Sequence, residues 1–178
     1  DILPDRDWVS GMLSSLTADR LDGVGGRVLP QWEAAVPGWL SAQPDLLSWL
    51  ALVEEDTRCL LEYPLSLTRR IVGASMAFRR EVFEEFGLFQ TSLGHRGRRF
   101  YGQEEVEFIH RLLRKGRRIG YDPSVVVHHR IGASRLRKSF FLRRHFDHAC
   151  GQARHMPSAS ETRSLGVQPW RFRHLLRS

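Results

Sequence analysis

The chain has 178 residues, of which 42% are hydrophobic and 26% charged. This length is typical of one globular domain with a sizeable core. No apolar run reaches the roughly 18 residues that span a bilayer, so the sequence predicts no transmembrane helix. Cys59 and Cys150 lie far apart without metal-ligand spacing, which favours neither a disulfide framework nor a zinc site and suits a reducing cytosol.

Positive charge is concentrated at the C-terminal end. From Arg130 onward there are eleven Arg or Lys residues against two acidic residues, whereas the net charge of the whole chain is only +7. Such a region attracts phosphates on nucleic acid, on anionic lipid or on a diphosphate leaving group, or is a solvated arginine-rich surface. The composition turns polar after residue 155. We therefore expect a domain over 1–155 and a polar, basic tail over 156–178.

The first part of the chain predicts a helix, a strand and a loop. Apolar residues at helical spacing indicate a helix over 7–18, and residues 24–29 indicate a strand interrupted by glycines. The stretch 30–44 contains three prolines and two tryptophans, which indicates a loop at the rim of a site. The apolar run 46–53 is compatible with a helix or a strand.

Strands and helices alternate through the rest of the chain. A loop that enters a strand is expected over 69–78, followed by a short helix over 80–86 and an amphipathic helix over 103–115, each ended by a glycine. Two short strands are expected at 118–121 and 125–129, on either side of an Asp-Pro turn. A basic helix is expected over 134–152, with Phe140, Phe141, Phe146 and Ala149 on its apolar side. This alternation favours an α/β layered domain with a mixed sheet.

Three motifs follow one another in the second half of the chain. GASMAFRREVFEEFGLF (73–89) precedes the acidic cluster GQEEVEF (102–108) and then YDPSVVVHHR (121–130). They resemble motifs of family 2 glycosyltransferases, which have the GT-A fold: G-A-N-M-A-F-R-R, an E-D-x-E-L-type acidic motif and D-P-x-A-V-V-x-H-R. Upstream, 1–13 and 24–32 resemble the stretch after the family's nucleotide-binding Asp-x-Asp motif and its V-G-G-R-V-x-P strand.

The resemblance runs in order from Asp1 to about Arg144 and implies the C-terminal part of a GT-A catalytic domain. Asp1 is then the last residue of Asp-x-Asp, and the preceding nucleotide-binding half is absent, so we expect an inactive fragment. The implied activity is transfer of a sugar from a nucleotide-sugar donor to a polysaccharide or lipid-linked acceptor. The implied setting is the bacterial cytoplasm or the inner face of the membrane, during synthesis of envelope polysaccharide.

Glycosyl transfer needs a base for the acceptor hydroxyl and positive charge beside the leaving diphosphate. Glu104 and Glu105 begin the helix expected over 103–115, where the helix dipole favours their ionised form. The resemblance places Glu105 at the position of the family's catalytic Asp and Glu104 at the preceding acid. The longer Glu side chain requires the acceptor to lie slightly further away. Alternatively, both acids only balance the helix dipole.

The resemblance also implies a divalent cation, Mg²⁺ or Mn²⁺, with Asp1 and His129 as candidate ligands. Such cations take carboxylate oxygens and bridge to phosphate oxygens. His128 is expected on the opposite face of the strand. For His129 the alternative is a strand-end histidine that hydrogen-bonds to backbone.

Six further residues are candidates for donor or acceptor binding. Small residues in a turn allow close approach of backbone to a sugar, and a Trp ring can stack on one. Two adjacent arginines on the basic helix suit the donor diphosphate, or the phosphate of a lipid-linked acceptor at an anionic membrane surface. The candidates are Gly73, Ala74, Ser75, Trp32, Arg143 and Arg144. A structural turn, a packing anchor and surface charges are the respective alternatives.

Two other classes of function stay open. The basic C-terminal region suits a nucleic-acid-binding module, but no aromatic-and-basic motif of a known type is present and the acids at 104–107 repel phosphate, so we expect no nucleic-acid partner. A binding domain without catalysis is the second alternative, because Gln103, Glu105 and Ser75 depart from the family's pattern. The donor sugar, the nucleotide and the acceptor are not specified, since a fold alone does not fix a substrate.

Overall fold

Helices alternate with the strands of a mixed sheet in the computed structural model, which describes residues 1–65, 71–96, 99–100, 102 and 104–155. The strands are β1 (Ile2–Pro4), β2 (Gly23–Trp32), β3 (Cys59–Leu60), β4 (Met76–Phe78), β5 (His95–Arg96), β6 (Arg99–Phe100) and β7 (Ile119–Ile131). The helices are α1 (Trp8–Ala18), α2 (Gly38–Ser41), α3 (Arg80–Phe86), α4 (Glu104–Arg114) and α5 (Lys138–His155), with 3₁₀ turns over Pro44–Leu50 and Ala133–Leu136. The expected α/β domain with a mixed sheet is confirmed.

Two further predictions concern the C-terminal tail and membrane-spanning helices. The tail expected over 156–178 lies outside the described residues. Within the described part of the chain, no helix has both the length and the apolar character needed to cross a membrane.

Strand β7 is the centre of the sheet. It pairs with β2 in parallel on one side and with β1 and β3 antiparallel on the other, while β4 is antiparallel to β2. Both β2 and β7 are largely buried, as expected for strands covered on both faces. The pairing of Ile2 with His129 places the start of the chain at the C-terminal end of β7.

The prediction of two short strands around an Asp-Pro turn is wrong, because β7 is a single strand of 13 residues. Its pairing with β2 shifts between Gly26, which pairs with Asp122, and Arg27, which pairs with Val126. Residues 123–125 therefore form a bulge. A bulge accommodates Pro123 without a break in the strand, since the extra residues do not join the ladder.

The loop expected from residue 30 begins later than predicted. Strand β2 continues to Trp32, which pairs with Ile131 of β7. Trp32 thus lies at a strand end, partly buried against the core formed by Val28, Val127 and Ile131. Pairing with β7 outweighs the local turn signal of Pro30.

Helix α4 confirms the most regular of the predicted helices. Phe108, Ile109 and Leu112 are fully buried and pack in one cluster with Ile119 at the start of β7. The helix ends just before Gly116, whose φ of +72° is the left-handed conformation typical of a glycine at a helix end. This packing fixes the first turn of α4 relative to the sheet.

Helix α5 begins four residues later than predicted. Arg137 has extended backbone after the 3₁₀ turn, so the α-helix starts only at Lys138. The helix buries the side that carries Phe141 and Asp147, whereas Phe146 is 62% exposed. The prediction that Phe146 faces the core is therefore wrong.

The bulge in β7 generates a test of this packing. A Cβ on Gly26 would lie 2.4 Å from the carbonyl oxygen of Val125 and 2.6 Å from the Ser75 hydroxyl. We predict that Gly26→Ala lowers the free energy of unfolding by about 2 kcal/mol through overpacking, measured by urea denaturation. Gly38→Ala is the control, because no atom lies within 4 Å of its added Cβ. Equal midpoints for the two variants would contradict the tight contact at the bulge.

Candidate active site

Asp1 and His129, the two candidate metal ligands, meet at the side chain of Arg135. Strand pairing brings Asp1 to the end of β7, and the turn after β7 carries Arg135 back toward it. Nη2 of Arg135 donates a hydrogen bond to Oδ2 of Asp1 at 2.6 Å, and Nη1 lies 2.6 Å from Nε2 of His129. The structure therefore brings both candidates to one point.

His129 occupies an environment that disfavours the protonated ring. Burial lowers its pKa, the positive charges of Arg135 and Arg144 lower it further, and a backbone interaction with Leu50 opposes them. A neutral ring accepts the Arg135 N–H through Nε2. His128 lies on the other face of the strand, where Nε2 is 3.3 Å from Oδ1 of Asp5, so the predicted alternation of the two histidines is confirmed.

Arg144, on helix α5, adds a second guanidinium to the cluster formed by Asp1, His129 and Arg135. Its Nη2 donates to the carbonyl oxygen of Trp49 at 3.2 Å. Burial lowers the Arg144 pKa to about 10, with a further decrease from Arg135 and opposing contributions from the carboxylates of Glu105 and Asp147. The guanidinium remains charged at neutral pH and lies within electrostatic reach of both Arg135 and Glu105.

Arg143, the other arginine proposed for phosphate, is oriented differently. Its side chain is 62% exposed, and its Nε is 3.9 Å from Oδ2 of Asp147. Consecutive residues on a helix point about 100° apart. Arg144 therefore faces the cluster, whereas Arg143 lies on the solvent side of α5.

The acids at the start of α4 separate into different environments. The Glu105 carboxylate interacts electrostatically with the Arg144 guanidinium. The Oε2 atom of Glu104 is buried and accepts no hydrogen bond within the described part of the chain. Glu107 instead forms two hydrogen bonds with Arg111, at 3.1 and 2.8 Å. Gln103 lies outside the described residues.

The turn over 73–75 makes its contacts with α1 and β2. The Ser75 hydroxyl is fully buried and accepts a hydrogen bond from Nε1 of Trp8 at 3.1 Å, while its carbonyl accepts from the Gly26 N–H at 3.0 Å. Ala74 is partly buried and Gly73 is exposed. Backbone near Gly73 is thus the part of this turn that a ligand can reach.

Sequence analysis missed Arg135 and Trp49. Arg135 falls inside the basic helix expected over 134–152, and no motif distinguished it. Trp49 lay in the apolar run of unsettled type, but its ring stacks on His145 at 3.8 Å between centroids, and its carbonyl holds Arg144. The available signal for Arg135 was its position six residues after His129.

Comparison with known proteins supports a glycosyltransferase. The chain is 27% identical over 149 residues to a glucosyl-dolichyl phosphate glucuronosyltransferase of Haloferax volcanii. The alignment covers 82% of this chain and 45% of the relative, so the chain spans less than half of that protein's length. No family model matches the sequence, and no solved structure matches it significantly.

The burial of Ser75 gives a second testable prediction. Ser75→Ala removes the acceptor of the Trp8 N–H inside the protein, and we expect a loss of about 1 kcal/mol in the free energy of unfolding. Ser10→Ala is the control, since that exposed hydroxyl bonds only to the Asp7 carbonyl of its own helix. Urea denaturation measures both. A Ser75→Ala protein as stable as the wild type would contradict a stabilising hydrogen bond between Trp8 and Ser75.

Proposed function

We propose that this chain is part of an inverting glycosyltransferase that moves a sugar from a nucleotide-sugar donor to a lipid-linked acceptor. The observation that carries the proposal is the cluster around Arg135. Asp1, His129, Arg144 and Glu105 come from four separate segments, yet contacts and electrostatic interactions join them. The relative in Haloferax volcanii is named for a dolichyl phosphate, which supports a lipid-linked acceptor.

The cluster contains the groups that the reaction requires. In such a transfer the bond from the sugar to the diphosphate breaks while the acceptor oxygen bonds from the opposite face. Glu105 takes the proton of the acceptor hydroxyl as that bond forms. Arg144 remains protonated, because its pKa of about 10 lies above neutral pH, and its charge stabilises the departing diphosphate.

Asp1 and His129 are the residues that would hold Mg²⁺ or Mn²⁺. The described residues, 1–65, 71–96, 99–100, 102 and 104–155, contain no group of three or more His, Cys, Asp or Glu suited to a metal. Two protein ligands nevertheless fit such a cation, which often keeps waters and takes its other ligands from substrate phosphates. When bound, the cation neutralises charge on the diphosphate.

We also infer that the chain belongs to the GT-A catalytic domains of family 2. The order of its motifs along the sequence and the mixed sheet around β7 support this assignment. Fold class alone does not determine chemistry, so the cluster remains the main support for the activity.

Glu105 is tested by removing its basicity without changing its size. We predict that Glu105→Gln lowers turnover by roughly 10²- to 10⁴-fold and leaves donor binding nearly intact. Glu107→Gln is the matched control on the same helix turn, because Glu107 pairs with Arg111 outside the cluster. Steady-state transfer assays on the natural protein compare the two. Wild-type turnover in Glu105→Gln would remove it as the base.

Helix α5 also offers a surface for the membrane where a lipid-linked acceptor resides. Leu142 and Phe146, four residues apart, are exposed beside the exposed Arg143. Apolar side chains flanked by basic ones suit the surface of an anionic bilayer. This surface supports our proposal that the protein makes peripheral contact with an anionic membrane, which we propose to be at its cytoplasmic face.

This surface is tested with lipid vesicles that contain about one-third anionic lipid. Replacing Leu142 and Phe146 together by Ser is predicted to reduce co-sedimentation of the natural protein, since less apolar area enters the interface. Leu88→Ser removes a similarly exposed leucine after helix α3 and is the control. Equal losses in the two variants would rule out α5 as the specific contact.

A further inference from the structure

We infer that the guanidinium of Arg135 occupies the proposed metal site when no metal is bound. A divalent cation must displace this guanidinium before a diphosphate binds. The displaced guanidinium then pairs with that diphosphate. This inference rests on the proposed function. It assigns a role to a residue that the sequence motifs do not identify, and it concerns the same two donor atoms as the proposed metal site.

The competition follows from the number of lone pairs. A neutral imidazole has one acceptor nitrogen, and Nε2 of His129 lies 2.6 Å from Nη1 of Arg135. That nitrogen cannot accept an N–H and coordinate a cation at the same time. Oδ2 of Asp1 is held by the other end of the same guanidinium, also at 2.6 Å. The Asp1 carboxylate has further lone pairs that a cation can use, but a cation that takes Nε2 of His129 must replace the Arg135 contact there.

The side chain of Arg135 can move away from Asp1 and His129 without unfolding of the surrounding structure. Its side chain is 33% exposed, and that of Asp1 is 66% exposed, so the guanidinium can move outward into solvent. Its backbone is anchored separately, by a hydrogen bond from its N–H to the carbonyl of Gly132 at 2.9 Å and by the buried Leu136 next to it. The movement is thus confined to one side chain.

The positive charge of Arg144 favours binding of an anion by the displaced Arg135. Arg144 donates to the carbonyl of Trp49 at 3.2 Å and lies within electrostatic reach of Arg135, so the two like charges repel each other. An anion between two guanidiniums relieves this repulsion, and the planar fork of arginine matches two phosphate oxygens. The ligand class is a nucleoside diphosphate or its sugar ester.

The role predicts opposite effects on two binding constants. Without the guanidinium, Mn²⁺ no longer competes with Arg135, so Arg135→Met should bind Mn²⁺ alone roughly threefold or more tightly than the wild type. The same variant should bind a nucleoside diphosphate more weakly at saturating Mn²⁺, because one phosphate contact is lost. A merely structural role would weaken both.

The experiment is calorimetric titration of the natural protein, first with MnCl₂ alone and then with UDP, GDP and dTDP at saturating Mn²⁺. Arg137→Met is the matched control, since it removes an exposed arginine two residues away. Arg135→Lys keeps the charge, but its single ammonium cannot replace both ends of the guanidinium. The Mn²⁺ affinity of Arg135→Lys should therefore fall between those of the wild type and Arg135→Met. Circular dichroism checks that each variant is folded.

The inference is overturned if neither Arg135 variant gains Mn²⁺ affinity, or if Arg137→Met gains as much. It is also overturned if neither the wild type nor the variants bind Mn²⁺. These results are distinct from a failure of the proposed function, which depends on turnover and on the Glu105 variant. A wild-type protein that transfers sugar while Arg135→Met shows no gain would retain the activity and lose only this role for Arg135.

Discussion

The parallel pairing of β2 with β7 is the constraint on which the rest of the molecule depends. The pairing continues past a bulge to the last residue of both strands, so it fixes the position of the C-terminal end of β7. That end pairs with β1 and carries His129 beside Asp1. The turn after β7 returns Arg135 to the same point, and helix α5 brings Arg144 within electrostatic reach of it.

Much of the fold follows from local pattern, and the errors arise where pairing outweighs it. Helices α3 and α4 could be predicted because both have regular apolar spacing and end at glycines with positive φ. The continuity of β7 could not, because an Asp-Pro step indicates a turn unless a neighbouring strand holds a bulge. Likewise, Phe146 looked like a core residue, although the packed side of α5 carries Phe141 and Asp147.

The candidate site shows a similar limit. The order of motifs predicted that Asp1, His129 and Glu105 belong to one site. The structure brings Asp1 and His129 together at Arg135, while Glu105 interacts electrostatically with Arg144. Periodicity could not identify Arg135, because the reach of its guanidinium depends on how β1 pairs with β7. Ser75 was chosen for its small side chain in a turn, but its hydroxyl is buried against Trp8, a contact between residues far apart in sequence.

The central claim is that this cluster binds the diphosphate of a nucleotide sugar with the help of a divalent cation. The most direct test is calorimetric titration of the natural protein with UDP, GDP and dTDP, each with and without Mn²⁺. The account predicts tight binding of one nucleotide that requires Mn²⁺, and that nucleotide identifies the donor class. Absence of binding to all three, together with retention on a nucleic-acid column at moderate salt, would contradict it.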